Sequence, residues 1–112
     1  MVQAMIRIGD GSEMRFEMNG HAGMGEPGND LVCAAASILA QTLIQSLCLD
    51  RDIRDGKDRL QCNWQMSAGH AEADIRARGK RRTAARAKME MLSDGMKLLE
   101  DAFPEAIHVQ RK

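Results

Sequence analysis

The stretch Val2-Gln3-Ala4-Met5-Ile6-Arg7-Ile8-Gly9-Asp10-Gly11-Ser12-Glu13-Met14-Arg15-Phe16-Glu17-Met18 decides the fold. Val2, Ala4, Ile6 and Ile8 alternate with Gln3, Met5 and Arg7, and after the turn Met14, Phe16 and Met18 alternate with Glu13, Arg15 and Glu17. A period of two puts one set of side chains on each face of a pleated strand. Gly9-Asp10-Gly11-Ser12 supplies residues that tolerate positive φ, so the two runs read as an antiparallel hairpin. The same pattern returns downstream. Leu60, Cys62, Trp64 and Met66 alternate with Arg59, Gln61, Asn63 and Gln65. Ser67-Ala68-Gly69-His70 then turns the chain into Ala71, Ala73, Ile75 and Ala77, which alternate with Glu72, Asp74, Arg76 and Arg78.

A helix follows each hairpin. Leu31 to Leu49 is mostly apolar, but Ser37, Gln41, Thr42, Gln45 and Ser46 interrupt it, which argues for a buried helix rather than a membrane span. Asp30 is a good N-cap for it, and the charged run Asp50 to Asp58 ends it. The second helix is expected from about Thr83 to Phe103, with Ala85, Met89, Leu92, Met96, Leu99 and Phe103 on one stripe and Pro104 as the stop. The order strand, strand, helix, strand, strand, helix predicts a two-layer α+β domain, a mainly antiparallel four-stranded sheet with both helices on one face. The tail Ala106 to Gln110 can add an edge strand. Gln3, Arg7, Glu17, Gln61, Glu72 and Arg76 fall on the other sheet face, which should be wet or form an oligomer contact.

Composition narrows the function. The 112 residues carry 16 Lys+Arg against 16 Asp+Glu, 44% hydrophobic and 29% charged positions, as expected of one soluble domain spanning residues 1–112. Zero net charge argues against a dedicated nucleic-acid binder, and the first thirty residues resemble neither a signal nor a transit peptide, so a cytoplasmic location is expected. Three cysteines without a CxxC pair suggest neither a zinc knuckle nor a disulfide framework, and all three are expected as free thiols. Cys48 and Cys62 fall on apolar faces and read as core filler, as do Met14, Met18, Met66, Met89 and Met96.

Chemistry concentrates in Asn19-Gly20-His21-Ala22-Gly23-Met24-Gly25-Glu26-Pro27-Gly28-Asn29-Asp30, a connection with four glycines at positions 20, 23, 25 and 28. Long glycine-rich connections inside small domains are commonly functional. This one opens with His21 at a strand end and closes three residues before Cys33, expected in the first turn of the helix. Unpaired N–H groups and the partial positive charge of a helix start favour a thiolate, and His21 can fold back to take the thiol proton. Asp30 then fixes the turn, Ser37 lies one turn beyond Cys33 on the same face, and the N–H groups of the helix start are candidates for an oxyanion hole. His70, in a turn, and His108, in the tail, read as solvated. A metal site from His21, Glu26, Asp30 and Cys33 matches no zinc spacing, and no phosphate-binding motif is present, so no cofactor is expected.

Gly20-His21-Ala22-Gly23, Gly25-Glu26, Gly28, Asp30-Leu31-Val32-Cys33-Ala34 and Ser37 resemble the signature of the bacterial ribosomal-processing cysteine protease (Prp) family. The resemblance is detailed over residues 20–37, and the element order extends it over nearly the whole chain. Pro27 stands where relatives commonly carry an aromatic residue. The resemblance implies a homodimeric α+β cysteine endopeptidase that removes a short N-terminal extension from the twenty-seventh large-subunit ribosomal protein. It also implies Cys33 as nucleophile and His21 as general base, with Gly20, Asp30 and Ser37 in support and Gly23, Gly25, Glu26 and Gly28 in a flexible loop that covers the substrate.

One local charge cluster is hidden by the neutral total. Arg76, Arg78, Lys80, Arg81, Arg82, Arg86 and Lys88 fall within thirteen positions with no acid among them. The rival reading is therefore a nonenzymatic ribosome-assembly or RNA-binding factor that uses segment 76–88, with Arg81, Arg82 and Arg86 against RNA.

Overall fold

The computed structural model describes residues 1–20, 27–49 and 60–112, with the backbone alone for 27–30. Strands β1 (Val2–Ile8) and β2 (Glu13–Asn19) form the first hairpin, and β3 (Gln61–Ser67) and β4 (His70–Arg76) the second. Helix α1 (Pro27–Leu47) separates them, and α2 (Gly79–Ala102) leads to a last strand, β5 (Ile107–Arg111). The sheet order is β3-β4-β2-β1-β5. All neighbours are antiparallel except β1 and β5, which run parallel with Val2 opposite Ile107. The tail thus makes a fifth strand of a sheet expected to have four. A parallel partner for β1 needs a crossover, and α2 is that crossover.

The alternation reads directly as burial. Val2, Ala4 and Ile6 on β1, Met14, Phe16 and Met18 on β2, and Ala71, Ala73 and Ile75 on β4 are buried against the helices. Ala85, Met89, Leu92 and Met96 of α2 and Val32, Ala36, Ala40, Leu43 and Leu47 of α1 close the core from above. Trp64 is the exception: it shares the helix-side face of β3 yet is 42% exposed. β3 is an edge strand, so no further strand shields it.

The open face of the sheet is charged and paired. Arg15 donates to Asp74 Oδ2 at 2.6 Å, Glu72 Oε2 at 2.8 Å and Glu17 Oε2 at 3.2 Å, while Arg76 pairs with Glu13. Hydrogen bonds to Asp74 and then Glu72 hold the Arg15 guanidinium firmly protonated.

The helices lie antiparallel and close. A Cβ on Gly95 of α2 would stand 3.0 Å from Leu39 Cδ2 of α1, and Lys88 Nζ of α2 donates to the Ser46 carbonyl in the last turn of α1 at 3.0 Å. A cation there meets the negative end of the helix dipole and satisfies a carbonyl that has no helical partner. Arg82 donates from Nε to the Gly11 carbonyl at 2.8 Å and from Nη2 to the Gly9 carbonyl at 3.0 Å, tying the start of α2 to the first hairpin turn.

Candidate active site

Gly20 ends the second strand in a conformation only glycine adopts easily. Its φ is +100°, and a Cβ there would stand 2.4 Å from the Met1 carbonyl oxygen. Its N–H donates to the Gly69 carbonyl at 2.9 Å, which pins the strand end to the β3–β4 turn. Beside it the His70 ring Nδ1–H donates to Asn19 Oδ1, and Asn19 Nδ2 donates to Glu17 Oε1 at 3.1 Å. These bonds, Asn19 first and Arg15 second, hold the Glu17 carboxyl below the usual glutamate range. Sequence reasoning left His70 in solvent and did not single out Asn19. The register pairs the two residues directly, and that was the available signal once both hairpins were aligned side by side.

His21, Gly23, Gly25 and Glu26 lie outside the described residues. The chain resumes at Pro27, which opens α1. Asp30 was expected to be the N-cap, but it is the fourth residue of the helix, and its capping role is withdrawn. Proline is suited to the first helical position, since its fixed φ is already helical and its missing N–H would have had no partner there. The four-residue extension also moves Cys33 from the first turn to the second, so its own N–H is inside the helical ladder and drops out as an oxyanion donor. The free N–H groups belong to Gly28 and Asn29, one turn earlier.

Cys33 is half-buried and packs against the core, and it is the one free cysteine. Ser37 follows one turn later, also half-buried. Helical spacing puts Cys33, Ser37, Ile44 and Cys48 on a flank away from α2, since the α2-facing ridge carries Leu39 and Ser46. That flank faces β3, because Cys48 is disulfide-bonded to Cys62 with a Cα–Cα distance of 5.4 Å. This corrects the expectation of three free thiols. The two cysteines occupy apolar positions as anticipated, but the end of α1 crosses directly over the start of β3, a contact that no local pattern announces.

The bond also orients the helix. Cys33 lies fifteen residues before Cys48, or roughly 22 Å back along the axis, and seven-residue strands span about the same length. Cys33 is therefore level with the far end of the sheet, where β2 finishes at Asn19 and Gly20 abuts Gly69. Cys33, a half-buried thiol, thus lies toward the end of the sheet at which Gly20 locks the end of β2.

The basic segment is mostly engaged within the fold. Besides Arg82 and Lys88, Arg86 faces Glu90 at 3.9 Å and Arg76 pairs with Glu13. Among the described residues no helix is long and apolar enough to cross a membrane.

Comparison with known proteins identifies the family. Residues 1–108 match the family described as cysteine protease Prp. Among solved structures, the chain is similar to SMU.848 from Streptococcus mutans, with 25% identity, a TM-score of 0.70 and coverage of 99% of this chain and 93% of that one. It is also similar to the essential ribosomal processing protease Prp from S. aureus with a covalently linked product peptide, at 25% identity, a TM-score of 0.70 and full coverage of both chains. The same S. aureus protease with a substrate peptide, at 24% identity and a TM-score of 0.70, shares the fold. No curated protein sequence matches the chain.

Proposed function

The chain belongs to the cysteine protease Prp family and is a cysteine protease, and we propose that it removes the N-terminal extension of the twenty-seventh large-subunit ribosomal protein during ribosome assembly in the cytoplasm. In this reading His21 takes the Cys33 proton, the thiolate attacks the scissile carbonyl carbon, and the imidazolium protonates the departing amine. Water then hydrolyses the thioester, with His21 as base. The N–H groups of Gly28 and Asn29 are candidates to receive the oxyanion. Gly20 sets the direction in which the chain leaves β2, Ser37 flanks the thiol, and Gly23, Gly25 and Glu26 are assigned to a loop that covers the bound peptide; Gly28, expected in that loop, is instead the second residue of α1.

The observation that carries the reading is a free, half-buried thiol, Cys33, on the part of α1 that lies toward the strand end locked by Gly20. The covalently linked product peptide on the S. aureus relative is the kind of species a nucleophilic protease forms. The rival reading, an RNA-binding factor built on segment 76–88, loses ground because Arg82 and Lys88 serve the first hairpin and α1.

A homodimer belongs to the same proposal. The outer face of the two antiparallel helices exposes Leu31 (61%), Ile38 (60%), Met91 (76%) and Leu98 (70%), apolar pairs seven residues apart on each helix. Such a stripe can meet its own copy across a two-fold axis. Sedimentation of wild type against Ile38→Glu/Met91→Glu tests it: the dimer should become a monomer, and a monomeric wild type refutes the dimer.

The activity is tested by incubating the protein with the host's unprocessed ribosomal protein, with and without a thiol alkylator, and reading the product N-terminus by mass spectrometry. A shortened protein only without alkylator is expected. No cleavage in either arm contradicts the substrate assignment.

A further inference from the structure

The disulfide lies outside the proposed chemistry, and its position gives it a consequence. Cys48 stands just past the C-terminal end of α1, and Cys62 is the second residue of edge strand β3. Their Cα atoms, 5.4 Å apart, fall within the range that a disulfide spans without backbone movement. Both residues are half-buried at the edge of the core rather than enclosed in it. Cys33 is on the same helix but roughly 22 Å away along its axis, too far to exchange with either partner in the folded chain.

β3 needs a tether more than any other strand here. It has β4 as its one sheet neighbour, and Gln61, Asn63, Trp64 and Gln65 are all exposed along it. Its half-buried side chains, Cys62 and Met66, are what it sets against the core.

We propose that Cys48 and Cys62 are a reversible dithiol–disulfide site, distinct from the catalytic thiol, which takes low-molecular-weight disulfides as its oxidant and staples the C-terminal end of α1 to β3. One thiolate of the pair attacks the small disulfide RSSR, forming a mixed disulfide and releasing RS⁻. The second protein thiolate then attacks the protein sulfur of the mixed disulfide and releases the other RS⁻. The two protein thiols lose two electrons and two protons, and RSSR is reduced to two RSH. Excess thiol reverses both steps. Cys33 lies too far away to be drawn into the bridge, so the staple forms without using the nucleophile as a partner.

The test needs no variant in its first arm. Wild-type protein is equilibrated in buffers of graded reduced and oxidised glutathione, quenched in acid, denatured, alkylated and weighed, with peptide mapping of the linked pair. On the oxidising side one alkylated thiol, at Cys33, and a Cys48–Cys62 linked peptide are expected; on the reducing side, three alkylated thiols. The thermal midpoint should rise by on the order of 5–10 °C from reduced to oxidised wild type. It should not move with the glutathione ratio in Cys48→Ala/Cys62→Ala. Three free thiols at every ratio, or glutathione attached to Cys33 while the pair stays reduced, overturns the site. A bridge that forms without moving the midpoint overturns the staple.

Discussion

The two ends of α1 treat the same side chain in opposite ways. Near the N-terminal end Cys33 is unbonded and half-buried, toward the end of the sheet where Gly20 locks β2. Past the C-terminal end Cys48 is bonded to Cys62, and Lys88 satisfies a last-turn carbonyl. Both cysteines sit on the same flank of one helix, so neither hydrophobicity nor helical phase separates them. What differs is the neighbour. At one end it is a strand end that only glycine fits, and at the other a strand that brings a second sulfur. One end is arranged to leave a thiol available, and the other to use thiols for holding the scaffold.

The largest expected effect follows at once. Cys33→Ala should lower cleavage of the ribosomal precursor by on the order of 10⁴-fold or more, with circular dichroism and thermal midpoint unchanged. Cys48→Ala, measured in reducing buffer, should leave the rate within about twofold; equal losses at the two positions would erase the contrast. His21→Ala should cost about 10²–10⁴-fold in kcat with little change in KM.

Stability changes come next. Gly20→Ala forces a Cβ against the Met1 carbonyl at a φ of +100°, and it should destabilise the fold by at least about 2 kcal/mol in urea unfolding. Gly79→Ala, with a φ of +59° and open space around it, should cost about 1 kcal/mol. Similar costs at the two positions would show that the crowding at Gly20 carries no weight.

The smallest effect is a pH dependence. Glu17 has a folded pKa below the ordinary 4.5, held down by Asn19 and Arg15. Its contribution is therefore present above the unfolded value of 4.5 and is lost as pH falls through the lower folded value. Unfolding free energy measured from pH 7 down to pH 3 should fall less steeply in Glu17→Gln than in wild type. An unchanged slope would remove Glu17 from the network beside Gly20.

Much of the fold was legible because a two-residue period has only one structural solution. Ile6, Phe16 and Ile75, read as inward positions, are all buried, and the second hairpin turns at Ala68-Gly69 as its sequence suggests. Ile107 to Arg111 was harder, since five residues beside a parallel partner carry no turn signal of their own. Asp30 misled because a good capping residue competed with Pro27, and proline's preorganised φ set the helix start. Among the site residues Gly20 was legible as part of a motif, though the reason for it, the Met1 carbonyl, is contributed by the opposite end of the hairpin. Asn19–His70 and Cys48–Cys62 were not legible because each pair forms between two different elements: the first joins strands of separate hairpins, 51 residues apart, and the second joins the end of α1 to β3, and no local pattern reports either meeting.

The account rests on Cys33 as the reacting thiol, and one measurement addresses it directly. Native, reduced protein is titrated with iodoacetamide, and at each point the label on Cys33, Cys48 and Cys62 is quantified by peptide mass spectrometry alongside the rate of precursor cleavage. Activity should fall in proportion to label on Cys33 and be independent of label at the other two. Full modification of Cys33 with cleavage retained would contradict the account.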